Sequence, residues 1–237
     1  MAKMSEHTYR QFDAELEAIR TGVLQMGGLV ETQVANALEG LKTGNLGLLD
    51  RVIEGDHSIN LLEVELADTC TQIIAKRQPT AIDLRLIMTV IKSIADLERI
   101  GDEAKKIAKA AKRLHAGDVP FAPRVELGYG AGLALDMLRS SLDSFARADV
   151  SAVASVKDQD AEVDAYFKGV MRQLITFMME DPRTITSSLD VLFIAKSIER
   201  IGDHAKNIAE YVVFLVQGRD VRYAKSAAAA AESKNTP

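Results

Sequence analysis

Glu98-Arg-Ile-Gly-Asp102-Glu-Ala-Lys-Lys-Ile-Ala108 and Glu199-Arg-Ile-Gly-Asp203-His-Ala-Lys-Asn-Ile-Ala209 agree at nine of eleven positions. A segment of this length that returns once, in the other half of the chain, marks an internal duplication. Leu84, Ile87, Ile91 and Ile94 lead into the first copy, and Leu192 and Ala195 lead into the second. Apolar residues three and four apart make one stripe of an α-helix, so each copy is placed on a helix.

The same spacing continues outward through six stretches, roughly 6–42, 46–76, 80–116, 124–147, 150–180 and 184–218. The breaks carry helix-stop and helix-start chemistry: Gly44-Asn45, Gln78-Pro79-Thr80 and Asp181-Pro182. Thr80 with Asp83, and Ser187 with Asp190, have capping-box spacing, with Asp in place of the longer Glu. Short connections make neighbouring helices antiparallel.

Each signature falls in the third helix of its half. The second helices correspond as well, because Asp56-His-Ser-Ile-Asn60 precedes Pro79 as Asp160-Ala-Glu-Val-Asp164 precedes Pro182. The expected fold is therefore all-α, with two tandem three-helix bundles related by a pseudo-twofold duplication. Gly117, Pro120 and Pro123 place the boundary, giving bundles over residues 1–117 and 118–218. Residues 219–237, with alanines at 227–231, are expected to be a frayed or disordered tail.

Composition agrees with this class. The 237 residues include 5 prolines and no tryptophan, 47% are hydrophobic and 27% charged, as in a globular helical protein. A net charge of -5 argues against non-specific nucleic-acid binding, which wants a basic face. The first ten residues lack a signal-peptide core. The longest strongly apolar run, Tyr211–Val216, is far short of the roughly 18 residues that cross a bilayer, so a cytoplasmic location is expected. Cys70 lies in an apolar pattern without a second cysteine, which predicts a buried, inert thiol.

Chemistry concentrates in the carboxylates. At 100° per residue, Glu98 and Asp102 continue the line of the apolar stripe, as do Glu199 and Asp203. With the first turn centred near residue 78, Asp56 lies about as far before it as Glu98 and Asp102 lie after it. The second turn, near 182, stands in the same relation to Asp160 and Asp164 and to Glu199 and Asp203. Antiparallel helices thus bring each set to one level.

Such a cluster persists if it is solvated, salt-bridged, partly protonated or bridged by a cation. One reading is a solvated face with helical pairs Asp102–Lys106, Asp102–Lys105 and Asp203–Lys206. The other is an all-oxygen site for a hard ion, Mg²⁺, Mn²⁺ or Ca²⁺, or for iron. Its ligands would be Asp56, Asn60, Glu98 and Asp102 in the first half and Asp160, Asp164, Glu199 and Asp203 in the second. Asn60 stands where the second half has Asp164, leaving the first site one charge poorer.

Gly101 and Gly202, inside helices, point to close helix crossings, and Arg99 and Arg200 to ordinary salt bridges. Lys105, Lys106, Lys109, Lys112 and Arg113 make a basic face that could dock an acidic partner or the inner membrane surface but better suits a solvated helix end, with any membrane contact made peripherally through partners. Glu54 and His57 have the Glu-x-x-His spacing of di-iron bundles, but those bundles use the motif twice and it occurs once here. No phosphate loop or nucleophile–base pair is legible, and no enzyme is expected.

Met26-Gly-Gly28, Val52-Ile-Glu-Gly-Asp56, Ile74-Ala-Lys-Arg-Gln-Pro79-Thr-Ala, Asp83-Leu-Arg-Leu, both signatures and Met178-Met-Glu-Asp181 follow one another along the chain. In these runs the chain resembles the PhoU family, accessory regulators of bacterial phosphate uptake. The resemblance implies two three-helix bundles, self-association as a homodimer, and metal binding by the Glu/Asp-x-x-x-Asp motifs at Glu98/Asp102, Glu199/Asp203 and Asp160/Asp164. Asp56 matches the pattern, whereas Asn60 departs from it. The resemblance further implies a non-enzymatic adaptor between the PstB ATPase of the Pst phosphate transporter and the PhoR histidine kinase, repressing the phosphate-starvation genes when phosphate is abundant. A metal-storing or metal-buffering bundle without a signalling role is the alternative.

Overall fold

A computed structural model describes residues 2–116 and 125–221. It contains six long helices among these residues: α1 (Ala2–Thr43), α2 (Leu46–Arg77), α3 (Ala81–Ala116), α4 (Gly128–Arg147), α5 (Val153–Glu180) and α6 (Ile185–Gln217). The expected bundle boundary at Gly117–Pro123, and most of the expected tail, lie outside the described residues.

Local chemistry ends each helix. Gly44 turns back with φ +70°, its N–H donating to the Gly40 carbonyl at 2.9 Å, and the Asn45 side chain accepts the Leu48 N–H at 3.1 Å to start α2. Gln78 takes the left-handed conformation, φ 48°, and Pro79 prevents α2 from continuing. Asp181 is extended, and its carboxylate accepts the Arg183 N–H at 3.0 Å, opening a 3-10 turn at Pro182–Thr184 that runs into α6.

This turn displaces one expected feature. Ser187 does not cap α6; it lies inside the helix, and its hydroxyl donates to the Thr184 carbonyl at 3.0 Å. Asp190, its expected box partner, instead accepts from Arg113 at 2.5 Å across the molecule. α5 begins at Val153 rather than 150, because the Asp149 carboxylate accepts the Ser151 N–H at 3.0 Å and holds a turn there.

α1, α2 and α3 pack mutually, as do α4, α5 and α6, and α3 lies against α6 while α1 touches α4. The core is continuous through the α3–α6 contact. Met26, Leu49, Ile59, Ile87, Leu97 and Ile100 of the first half join Met137, Ile194, Ile201 and Ile208 of the second, all buried. A smaller cluster, Val170, Leu174, Val191 and Ala195, closes the far end of the second bundle. The stripe that leads into the first signature divides: Ile87 and Ile94 are buried, Ile91 is half-buried, and Leu84 is 39% exposed. Cys70 is fully buried, and its desolvated thiol is pushed up to about 11, which makes it a poor nucleophile. No helix among the described residues is long and apolar enough to cross a membrane.

Candidate functional site

In the first bundle Asp56, on the buried side of α2, is 2% exposed. Its Oδ2 accepts from Lys105 Nζ of α3 at 2.5 Å, while Oδ1 has no hydrogen-bond partner among the described residues. Asn60, one turn further along α2, also buries an unpartnered Oδ1. Burial lifts the Glu98 carboxyl above its ordinary range, and repulsion from Asp102, Glu63 and Asp56 lifts it further. Lys105 is held above its ordinary value by its hydrogen bond to Asp56, against the effect of burial, with Asp102 and Glu98 adding to the attraction. Asp56, Glu98 and Asp102 therefore share one field, as the hairpin register predicts. Glu63 joins them, one further turn along the α2 face that carries Asp56 and Asn60.

The second bundle repeats the arrangement. Lys206 Nζ of α6 donates to Asp160 Oδ2 at 2.6 Å and to Asp203 Oδ1 at 3.0 Å. Burial raises the Asp160 carboxyl beyond what Lys206 pulls down, and Asp203 and Asp164 raise it further. Burial works against the Lys206 ammonium, but its bonds to Asp160 and Asp203 prevail and raise it. Glu199 is held separately, accepting from Lys196 Nζ at 2.5 Å.

Lys105 and Lys206 occupy the same place in the two signatures, seven residues after Glu98 and Glu199 respectively. Each ammonium is lodged among the acids where a bridging cation would sit. The donors are the right chemical type for a hard ion, and Asp56 Oδ1 has a free acceptor position. Among the described residues, however, no three His, Cys, Asp or Glu side chains are arranged to hold a metal ion. The clusters as they stand fit an ammonium rather than a resident metal.

Of the expected helical pairs, Asp203–Lys206 forms. Lys106 turns instead to Glu103 at 2.9 Å, and Lys105 to Asp56. The basic face at the end of α3 is largely consumed by ion pairs, since Lys112 binds Asp50 and Arg113 binds Asp190. Arg200 Nε lies 3.2 Å from Glu103, in keeping with a salt-bridging role. An added Cβ at Gly101 would stand 3.1 Å from Ile59, a tight crossing, whereas at Gly202 the nearest atoms, in Met137, lie at an ordinary 3.5 Å.

A second polar group, at the seam between α3 and α6, was not among the candidates. Asp96 is buried and accepts from His204 Nδ1 at 2.7 Å, Tyr211 Oη at 2.7 Å and Asn207 Nδ2 at 3.4 Å. Glu103, also buried, accepts from Ser197 Oγ at 2.8 Å and from Lys106 at 2.9 Å. Counted from Glu98 and Glu199, Asp96 corresponds to Ser197 and Glu103 to His204, so the two contacts are related by the pseudo-twofold axis. The sequence did carry a signal: of the residues at the two mismatches between the signatures, Glu103 against His204 and Lys106 against Asn207, Glu103, His204 and Asn207 bond across the seam, and Lys106 bonds to Glu103 on its own helix.

The PhoU domain model matches residues 23–111 and 131–212, one stretch in each half. The phosphate-specific transport system accessory protein PhoU of Serratia marcescens is 48% identical over 93% of this chain and 90% of its own length. That of Escherichia coli (strain K12) is 46% identical over 93% and 91%. The crystal structure of PhoU from Pseudomonas aeruginosa superposes with a TM-score of 0.84 at 46% identity, covering 88% of this chain and 100% of that one. PhoU from Streptococcus pneumoniae, described as a phosphate transport system regulatory protein, gives 0.81 at 30% identity, covering 89% and 99%. Doubled helical signatures, six helices in the same arrangement and near full-length likeness make this chain a member of the PhoU family, whose members are accessory proteins rather than enzymes.

Proposed function

We propose that the protein is a cytoplasmic adaptor of the phosphate-specific transport system that holds the phosphate-starvation response off when phosphate is plentiful. It would do so by contacting the PstB ATPase of the transporter and the PhoR histidine kinase, as a homodimer. The observation that carries this reading is the 48% identity to a phosphate transport accessory protein over nearly the whole of both chains.

Two features of the surface support a binding role. Leu84 and Met88 on α3, and their counterparts Ile185 and Leu189 on α6, are exposed apolar residues one helical turn apart, and Phe193 extends the second stripe at 60% exposure. Apolar residues repeated on an exposed face suit contacts with other chains. The alternative, a metal store or buffer, is disfavoured by the lysine lodged in each carboxylate cluster.

Deletion of the gene from its own host, followed by alkaline phosphatase assay in high phosphate, tests the reading. Derepression that is reversed by the intact gene is expected. Full repression in the deletion strain would rule out the regulatory role.

A further inference from the structure

We infer that Lys105 and Lys206 are tethered cations that fill the two carboxylate clusters, tie the second helix of each bundle to the third, and keep divalent metal out. The family's Glu/Asp-x-x-x-Asp motifs are present here, but the position that a metal's charge would neutralise is already taken by the chain itself.

Three observations converge. The arrangement occurs twice, from equivalent residues: Lys105 reaches Asp56 at 2.5 Å, and Lys206 reaches Asp160 at 2.6 Å and Asp203 at 3.0 Å. A single chance ion pair would not repeat at the same register of a duplicated fold. Asp56 and Asp160, the two second-helix acids that receive these ammonium groups, are largely buried, with side chains 3% and 16% exposed. Asp56 is 2% exposed, so its charge has little water to solvate it and needs a partner from the protein. Finally, among the described residues no three acids converge on a point as metal ligation requires. A six-coordinate ion would need Lys105 or Lys206 to swing out and the carboxylates to close in behind it.

An ammonium and a divalent ion differ in ways that matter at such a site. The lysine is delivered by the fold as an intramolecular partner, and it needs no ion from the medium. It supplies one positive charge, so each cluster stays net negative. A hard ion therefore retains some attraction to the cluster and is opposed chiefly by the tether. Removal of the tether converts the site: Asp56 or Asp160 loses its counter-charge, and an external cation becomes the means of restoring it.

The inference stands apart from the adaptor role and is tested on the purified full-length chain with MnCl₂ and EDTA. The wild-type chain is expected to melt at the same temperature in EDTA and in millimolar MnCl₂. Lys105→Met and Lys206→Met, which keep most of the side chain's length and remove its charge, are each expected to melt lower in EDTA. Each should recover with MnCl₂ and bind Mn²⁺ about tenfold or more tightly than wild type by calorimetric titration. A fall in the wild-type midpoint on adding EDTA overturns the inference, as does wild-type Mn²⁺ affinity equal to that of the Met variants. A Met variant that neither loses stability nor gains Mn²⁺ affinity also overturns it. The wild-type measurements decide the matter alone if a variant does not fold, and none of these outcomes bears on alkaline phosphatase repression.

Discussion

Glu98 is surrounded by Asp102, Glu63 and Asp56 in a half-buried position, and its carboxyl is raised first by burial and then by those neighbours. A carboxyl whose folded pKa exceeds its unfolded value binds its proton more tightly in the folded chain, so its ionisation opposes folding. Below its ordinary value, 4.5, both states hold the proton and the penalty is absent; it grows as pH rises from there towards the raised folded value and is complete above it. Glu98→Gln is therefore expected to raise the thermal midpoint at pH 7 and to have no such effect near pH 3.5, read by melts at the two pH values. A lower midpoint for the Gln variant at pH 7 would contradict this account. The meeting of these acids was legible, because helical periodicity and hairpin register depend only on residue positions. The role of Lys105 was not. Its long, flexible stem can reach Asp102 on its own helix or Asp56 on the preceding one, and helical spacing favours the wrong one. Glu199 shows the same limit: its level in the bundle was legible, but its capture by Lys196 at 2.5 Å depends on side-chain direction.

At the scale of the helix, the breaks were readable where a residue dictates backbone conformation. Gly44, Asn45, Pro79 and Asp181-Pro182 all mark helix ends in the structure. Ser187 misled because the 3-10 turn at Pro182–Thr184 moves the true start of α6 two residues before it, to Ile185, and capping-box spacing alone cannot register that insertion. The signature glycines separate on packing. At Gly101 a methyl group would press on Ile59 at 3.1 Å, so the tight crossing expected there is real. At Gly202 the nearest side-chain atoms stand at 3.5 Å, a normal contact, and the glycine only loosens the helix. Gly202→Ala is expected to stabilise the protein by up to about 1 kcal/mol in urea unfolding. Gly101→Ala should gain less or lose stability, since part of that advantage is offset by displacing Ile59. Equal gains at both positions would show that packing does not distinguish them.

On the scale of the whole molecule, the duplication was legible but the join was not. Two bundles each with a separate core would be the simplest product of a repeated three-helix unit. Instead the apolar core passes through the α3–α6 contact, and Asp96 and Glu103 lie buried within that contact. Repeat comparison highlights what the halves share, whereas a join between them is written in what they do not. His204 and Asn207, the departures in the second signature, both bond to Asp96 of the first half. A buried carboxylate with three donors from the opposite bundle makes folding of the halves interdependent. Asp96→Ala removes the acceptor that His204, Asn207 and Tyr211 share, and loss of one partner from such a buried group costs about 3–5 kcal/mol. Calorimetry should show one cooperative transition for the wild-type chain and one, lowered by roughly 2–4 °C per kcal/mol, for the variant. Hydrogen exchange should accelerate in the cores of both bundles together, α1–α3 as well as α4–α6. Two resolved transitions, or protection lost from α4–α6 while α1–α3 keeps its own, would mean that the seam joins two independent domains rather than completing one core.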